Sequence, residues 1–378
     1  MSDRLIHLIG EFGDSPAELA PELRLFQKSN PDAFVDQAVA AFPQIKATPA
    51  LPLVLELIAT RLRIVERLAN PEILAAPDAA DLARRLRPMN PSLDQQLLRH
   101  AQSVGGAGDC SPALALRVLE IVSEASDGPR LHPLLTQLLR HHDPRVRSKC
   151  TLIAGRLLRR LDWLEQRLAD PDPRIRANAV ESFWGDDSPD VQELFLAATE
   201  DRHHRVAANG IVGLYRAGSL AAVRIAVQMS ANADPMFRAA AAYAMGQSQD
   251  PRFVRTLERM VTGDPGAPRQ NALRALVRIR RRISELRKSS NLTVILAGEP
   301  LEGFRASVLD AAGEPQPNLK PTAFILTNAG EPVNIEDARY TPTSADYAIS
   351  LANPPAPVTA LTVIAPNGIG DWPAALAA

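Results

Sequence analysis

Asp143-Pro-Arg-Val-Arg147 recurs as Asp172-Pro-Arg-Ile-Arg176, and then, altered, as His203-His-Arg-Val-Ala207, Asp234-Pro-Met-Phe-Arg238 and Asp264-Pro-Gly-Ala-Pro-Arg269. Aligned on their last residues, the copies step by 29, 31, 31 and 31 residues. A fixed period of this size signals stacked units, none of which buries its apolar face alone. The motif has the chemistry of a helix start: an Asp side chain accepts orphan amide protons at the N-cap, and Pro suits the first helical position. An alanine-rich pattern follows each later copy, in Asn178-Ala-Val, Asn209-Gly-Ile, Ala240-Ala-Ala and Asn271-Ala-Leu. After the first copy, Val146, Cys150, Ile153 and Leu157 fall at the spacing of one buried helix face.

A second helix is predicted between successive motifs, over residues 161–168, 189–198, 220–229 and 251–261, with Ser188-Pro189 and Asp250-Pro251 supplying further cap and first-turn pairs. Two helices per ~30 residues joined by short turns make a helical solenoid. Ser111-Pro112 opens an earlier unit, whose partner helix is expected from Pro91 to Ala101, beyond a Gly105-Gly-Ala-Gly108 linker. The expectation is a right-handed α-α solenoid over residues 91–288. Residues 1–90 read as helical without a clear period, as degenerate repeats or a cap.

The spacing of an Asp in the turn before the second helix and an Arg six residues later, as in Asp170 and Arg176, resembles the HEAT-repeat family, in particular its short bacterial form. The resemblance covers residues 91–288. It implies a ladder of these side chains tying neighbouring repeats together, and it implies a fold rather than a function. The pairing is partial: Asp201 stands before Ala207, while Arg147, Arg238 and Arg269 have His141, Asn232 and Gly263 at the Asp position. A weaker ladder is therefore expected.

Helical signals stop after Lys288. Five β-prone runs, over residues 292–296, 304–309, 323–327, 347–351 and 360–365, are separated by turn residues, and Gly298-Glu-Pro300, Gly313-Glu-Pro315 and Gly330-Glu-Pro332 read as three similar turns. About six strands in residues 289–378 suit a small β-sandwich. This region is similar to the immunoglobulin-like modules of bacterial multidomain proteins, and that similarity carries no functional residues across.

The 378 residues carry a net charge of only -1, but the tail after Lys288 holds 3 basic and 9 acidic residues, while residues 140–288 hold 26 basic and 17 acidic. A basic helical body thus precedes an acidic tail. Cys110 and Cys150 are the only cysteines, too few for a disulfide framework or a cysteine-built metal site. Neither a secretion signal nor a run of ~20 apolar residues is present, so the cytoplasm is the expected compartment and a membrane is not an expected partner.

Arg145, Lys149, Arg156 and Arg160 lie on one helix face opposite Val146 and Cys150, and Arg174, Arg205, Arg216 and Arg278 extend the basic character along later helices. These eight residues are the expected partner-binding set, for an anionic ligand or for the acidic tail itself. Arg278 to Arg282 are expected to hold that tail against the end of the helical body. His141-His142 and His203-His204 occupy different places in the motif and share no ligand spacing, so no metal site is expected. Trp184-Gly-Asp-Asp187 places an aromatic beside two carboxylates, as in some HEAT-like DNA glycosylases, but it also reads as a helix end with Trp184 packed between repeats. Asn291-Leu-Thr293 matches a glycosylation acceptor by chance, and no phosphate loop or nucleophile elbow appears. No catalytic residue and no cofactor is expected. A protein-binding scaffold is the leading reading, a nucleic-acid-binding protein with a basic groove the second, and a HEAT-like lyase the third.

Overall fold

The computed structural model describes residues 4–13, 15–103, 111–123, 128–289, 292–299, 303–352 and 357–373. The chain divides into two compact units, Met1–Arg160 and Leu161–Ala378. The Gly105 to Gly108 linker, Cys110, Asn291 and Pro300 lie outside the described residues.

The first unit is helical: α1 (Arg4–Phe12), α2 (Pro16–Ser29), α3 (Pro31–Ile45), α4 (Leu51–Ile58), α5 (Arg63–Ala69), α6 (Ala76–Leu86), α7 (Leu93–Ser103), α8 (Pro112–Val122), α9 (Gly128–Leu138) and α10 (Pro144–Leu158). Its helices pack on their second neighbours as well as their first, in one row α3, α5, α7, α9 and another α6, α8, α10. Side chains from about 30 residues away tie the rows. Arg63 donates to both oxygens of Asp36 at 2.6 and 2.7 Å, and Asn90 donates to the Ala59 carbonyl at 2.9 Å. The fully buried Cys150 has its thiol pushed up by desolvation and donates to the Leu135 carbonyl at 3.1 Å.

The second unit opens with α11 (Leu161–Leu168), α12 (Pro173–Ser182), α13 (Pro189–Thr199), α14 (His204–Ala217), α15 (Ala221–Ser230), α16 (Pro235–Ser248), α17 (Val254–Gly263, entered through a 3-10 turn at Pro251–Phe253) and α18 (Gly266–Ser289). The helix starts follow the motif chemistry. Asp172 and Asp234 each accept the amide two residues on, at 2.9 and 2.8 Å, and His203 does the same through Nδ1 at 3.3 Å. The helices α12, α14, α16 and α18 pack side by side in one row, each also packed on the helix that precedes it. Their shared core includes Phe183, Phe195, Ile211, Met245, Phe253 and Ile279. Close approach of α13 and α14 requires glycine: a Cβ at Gly210 would lie 2.7 Å from the Phe195 carbonyl oxygen.

Eight strands follow: β1 (Thr293–Glu299), β2 (Gly303–Leu309), β3 (Phe324–Asn328), β4 (Glu331–Val333), β5 (Ile335–Thr341), β6 (Asp346–Leu351), β7 (Ala360–Ala365) and β8 (Gly368–Trp372). They form two antiparallel four-stranded sheets, ordered β1-β2-β6-β5 and β4-β3-β7-β8. Phe324, Leu326, Val308, Tyr347, Leu361 and Val363 fill the space between them. The fully buried Tyr347 donates its hydroxyl proton to the Gln316 carbonyl at 2.7 Å and accepts the Leu319 amide at 2.8 Å.

The five expected β runs are all strands, and β4, β5 and β8 join them. The expected turn at Gly330-Glu-Pro332 lies one residue earlier. Asn328 pairs with Glu331, leaving Ala329 and Gly330, both at positive φ (48° and 82°), as a two-residue hairpin loop of the type that matches strand twist. Pro332 is therefore inside β4, where an edge strand tolerates a residue without an amide proton.

The sandwich docks on the helices of its own unit. Leu220 packs against the sandwich core. Lys320 Nζ donates to the Arg216 carbonyl at 2.9 Å and to Asp187 at 3.1 Å, and Arg252 Nη2 donates to the Thr322 carbonyl at 3.0 Å. Of Arg278 to Arg282, Arg282 bonds to the sandwich, at the Pro366 carbonyl (3.1 Å), while Arg280 and Arg281 pair with Glu258 and Glu285 on the helices.

Candidate partner-binding surface

In the first four copies, the position six residues before the motif's last residue has a backbone role that the Asp-to-Arg spacing did not suggest. Asp170, Asp201 and Asn232 accept the backbone N–H two residues later at 2.9, 2.8 and 2.9 Å, and His141 Nδ1 accepts the Asp143 amide at 3.0 Å. His and Asn substitute there because each offers an acceptor of the right reach. The ladder runs between neighbouring turns: Arg176 pairs with Asp201, and Arg238 with Asp264 at 2.8 Å. The weakening falls at Ala207, which has no guanidinium to offer.

With the turns fixed in this way, one residue on each of α12, α14 and α18 acts electrostatically on a tyrosine of α16. Tyr243 on α16 is 37% exposed. Its hydroxyl is raised above the ordinary phenol range by burial and by Glu181 of α12, against the opposing fields of Arg278 on α18 and Arg216 on α14. The Arg216 guanidinium lies 4.5 Å over the ring of Trp184, whose Nε1 donates to the Asn209 carbonyl at 2.9 Å. Beyond it, Arg278, Arg281 and Arg282 surround a cavity of about 330 Å³ with Gln247, Gln249 and Glu285.

The eight expected residues are divided between the two units. In the first, Arg145 is exposed and paired with Asp143, its own N-cap, at 2.8 Å; Lys149 is half-buried on α10, and Arg156 and Arg160 are exposed at and beyond its end. In the second, Arg174 and Arg205 are exposed in the first turns of α12 and α14, whereas Arg216, in the last turn of α14, and Arg278, midway along α18, both act on Tyr243. At 1.5 Å per residue, Arg205 and Arg216 stand about 16 Å apart along α14. The fields of Arg216 and Arg278 thus reach one side chain, Tyr243, while Arg174 and Arg205 stand at the starts of their helices. Sequence reading missed Tyr243 and Glu181. The signal for them was period: Glu181 and Tyr243 are 62 residues, two repeat steps, apart.

The carboxylates of Trp184-Gly-Asp-Asp187 are engaged. Asp186 accepts from the Ser188 amide and hydroxyl at 3.1 and 2.7 Å, and Asp187, held below the usual carboxylate range by Lys320, faces the sandwich. His141 stacks on His142 and His203 on His204; both members of the second pair are shifted down, mainly by burial. Among the described residues, no group of three or more His, Cys, Asp or Glu side chains is placed to hold a metal ion, and no helix is long and apolar enough to cross a membrane. Set against known protein families and curated proteins, the chain matches none.

Proposed function

We propose that this chain is a non-enzymatic scaffold: a right-handed α-solenoid of HEAT-type repeats whose second helices grip a protein partner, followed by an immunoglobulin-like sandwich. The solenoid reading is supported by the repeat period together with helices that pack on their second neighbours in both units. The order β1-β2-β6-β5 over β4-β3-β7-β8 supports the second part, because an immunoglobulin constant-type domain arranges its strands as A-B-E-D over C-F-G; β4 adds a short strand beside C.

The observation that carries the binding role is Tyr243, 37% exposed on α16 and within the fields of Glu181, Arg216 and Arg278, one residue on each of the other three second helices of a side-by-side row. A half-exposed tyrosine flanked by arginines has the composition of an interface hot spot, where aromatic and Arg anchors dominate. Trp184 is committed to the Asn209 carbonyl and covered on one face by Arg216, so the surface lacks the aromatic series on which a nucleic-acid strand stacks. The partner is an acidic protein.

The test is affinity capture with mass spectrometry, comparing the intact chain with Arg216→Glu, Tyr243→Ala, Arg278→Glu. A set of acidic proteins lost from the triple variant, whose retention on the intact chain weakens only gradually with salt, is the expected result. Identical capture by both chains sinks the reading, and retention that falls steeply with log salt replaces it with nucleic-acid binding.

A further inference from the structure

A cleft of about 980 Å³ lies between the first-helix side of the second unit and the sandwich, and its lining includes none of Glu181, Arg216, Tyr243 and Arg278. This volume is at the upper end of the 300–1,000 Å³ typical of ligand pockets, so it offers room for several residues of chain rather than for a single ion. One wall carries Arg224 of α15 and Arg255 and Arg259 of α17, over an apolar floor that includes Val223 and Val227. The opposite wall is the β4–β5 segment from Glu331 to Asp337.

The charges in the cleft do not cancel. Arg255 is paired with Glu331 across it, and Arg252 is committed to Asp250 and the Thr322 carbonyl. Arg224 and Arg259 are exposed, and among the described residues neither forms an ion pair; Arg259 Nη2 reaches the Thr256 hydroxyl at 3.2 Å. Of the carboxylates lining the cleft, Glu331 is paired with Arg255 and Asp337 with Arg339, which leaves Arg224 and Arg259 facing one further carboxylate, Glu336, and gives the cleft an excess of positive charge. The facing wall has unused capacity of a different kind. β4 pairs only with β3, and β5 only with β6, so each keeps one strand edge without a neighbouring strand. Such edges are templates for an added strand, in which backbone hydrogen bonds supply affinity and alternate side chains supply specificity.

We infer that this cleft binds an extended peptide segment with two acidic side chains at alternate positions, its backbone along β4–β5 and its carboxylates on Arg224 and Arg259. An extended chain sends residues i and i+2 to one face, so two carboxylates two residues apart address the arginine wall while the intervening residues turn toward Pro332 and Val333. Arginine forks bind carboxylates bidentately, and among the described residues neither Arg224 nor Arg259 has an ion-pair partner to surrender first.

The test uses the full chain and an acetylated, amidated six-residue peptide of alternating valine and glutamate, labelled with fluorescein and read by fluorescence anisotropy. Saturable binding is expected. It should weaken at least tenfold in Arg224→Glu, Arg259→Glu and in the milder Arg224→Gln, Arg259→Gln, with thermal unfolding of both variants checked against the intact chain. A peptide with lysine for glutamate should not bind, and methylation of alternate backbone nitrogens should weaken binding at least tenfold. Arg216→Glu, Arg278→Glu should leave it unchanged, which separates this site from the second-helix surface. Absence of saturable binding to the intact chain, undiminished binding to both arginine variants, or full displacement by inorganic pyrophosphate would each overturn the inference, the last by showing a site for bare anions.

Discussion

Arg176 donates through Nε and Nη2 to both oxygens of Asp201, 25 residues on, at 2.8 and 2.9 Å, while its Nη1 holds the Asp170 and Pro171 carbonyls at 2.9 and 3.2 Å. One buried side chain thereby joins the turn before α12 to the turn before α14. Removing it leaves a largely buried carboxylate and two carbonyls to be satisfied by water that reaches them poorly. Arg176→Ala is expected to cost about 3 kcal/mol, seen as a lower urea midpoint. Arg176→Lys keeps the charge but not the planar fork, and should recover less than half of the loss.

The same pair gives the helical body a dependence on acid. Burial opposes ionisation of Asp201, but hydrogen bonds from Arg176 and from the His203 amide outweigh it and hold the carboxyl below its ordinary value. Asp36 is shifted the same way, chiefly by Arg63. A carboxyl with a lower folded than unfolded pKa contributes its full stabilisation above the unfolded value, about 3.9, and loses it as pH falls through the folded one. Urea midpoints measured from about pH 5 down to about pH 2 should therefore fall below about pH 4, and Asp201→Asn should start lower and fall less. A parallel decline in both chains would remove Asp201 as a source of the acid sensitivity.

A second tie uses amides. Asn209 Nδ2 donates to the Ala177 carbonyl at 2.8 Å and Asn271 Nδ2 to the Ala239 carbonyl at 2.9 Å, each reaching 32 residues back to the preceding second helix. Asn209→Ala should cost about 1–2 kcal/mol, because the partner left behind is a buried backbone acceptor, and Asn271→Ala, which is only partly buried, should cost less. The ordering of the two losses in urea unfolding is the check. Equal losses would mean that burial does not set the cost.

These asparagines show what the sequence makes legible. Asn178, Asn209 and Asn271 stand out as a repeated letter once the motif is aligned, and the alignment gives the helix starts because capping is local chemistry. The partners of Asn209 and Asn271 do not stand out, because a carbonyl 32 residues away is defined only when helices stack. The β region was readable where strands alternate apolar and polar residues, as in β2 and β7. β5 was missed because only Ile335 and Ala338 of its seven residues are buried and its other positions are polar or charged. β8 was missed because glycine is a weak strand former, although a Cβ at Gly370 would meet the Leu292 carbonyl oxygen at 2.5 Å, so packing demands it. The candidate surface was half legible: a surface arginine reads as charge, but whether its field reaches Tyr243 depends on its place along the helix.

The docking of the sandwich on its helices is predicted to survive salt. The charge contrast along the chain suggested an electrostatic contact, and exposed pairs such as Arg255–Glu331 and Lys320–Asp187 do cross the boundary. The contact also contains what salt does not screen. Leu220 is inserted against the sandwich core, and Arg252 bridges the fully buried Asp250 to the Thr322 carbonyl. At ~1 M salt the screening length is about 3 Å, which erases exposed pairs and leaves close, buried ones nearly intact. Small-angle scattering profiles of the full chain should therefore agree between about 0.05 M and about 1 M salt. Arg252→Ala is the variant expected to change them: it strands the Asp250 carboxylate, should cost about 3 kcal/mol, and should expose the segment around Thr322 to protease before the helices unfold. A profile that expands with salt in the intact chain would reverse the assignment and make the surface ion pairs the holding force.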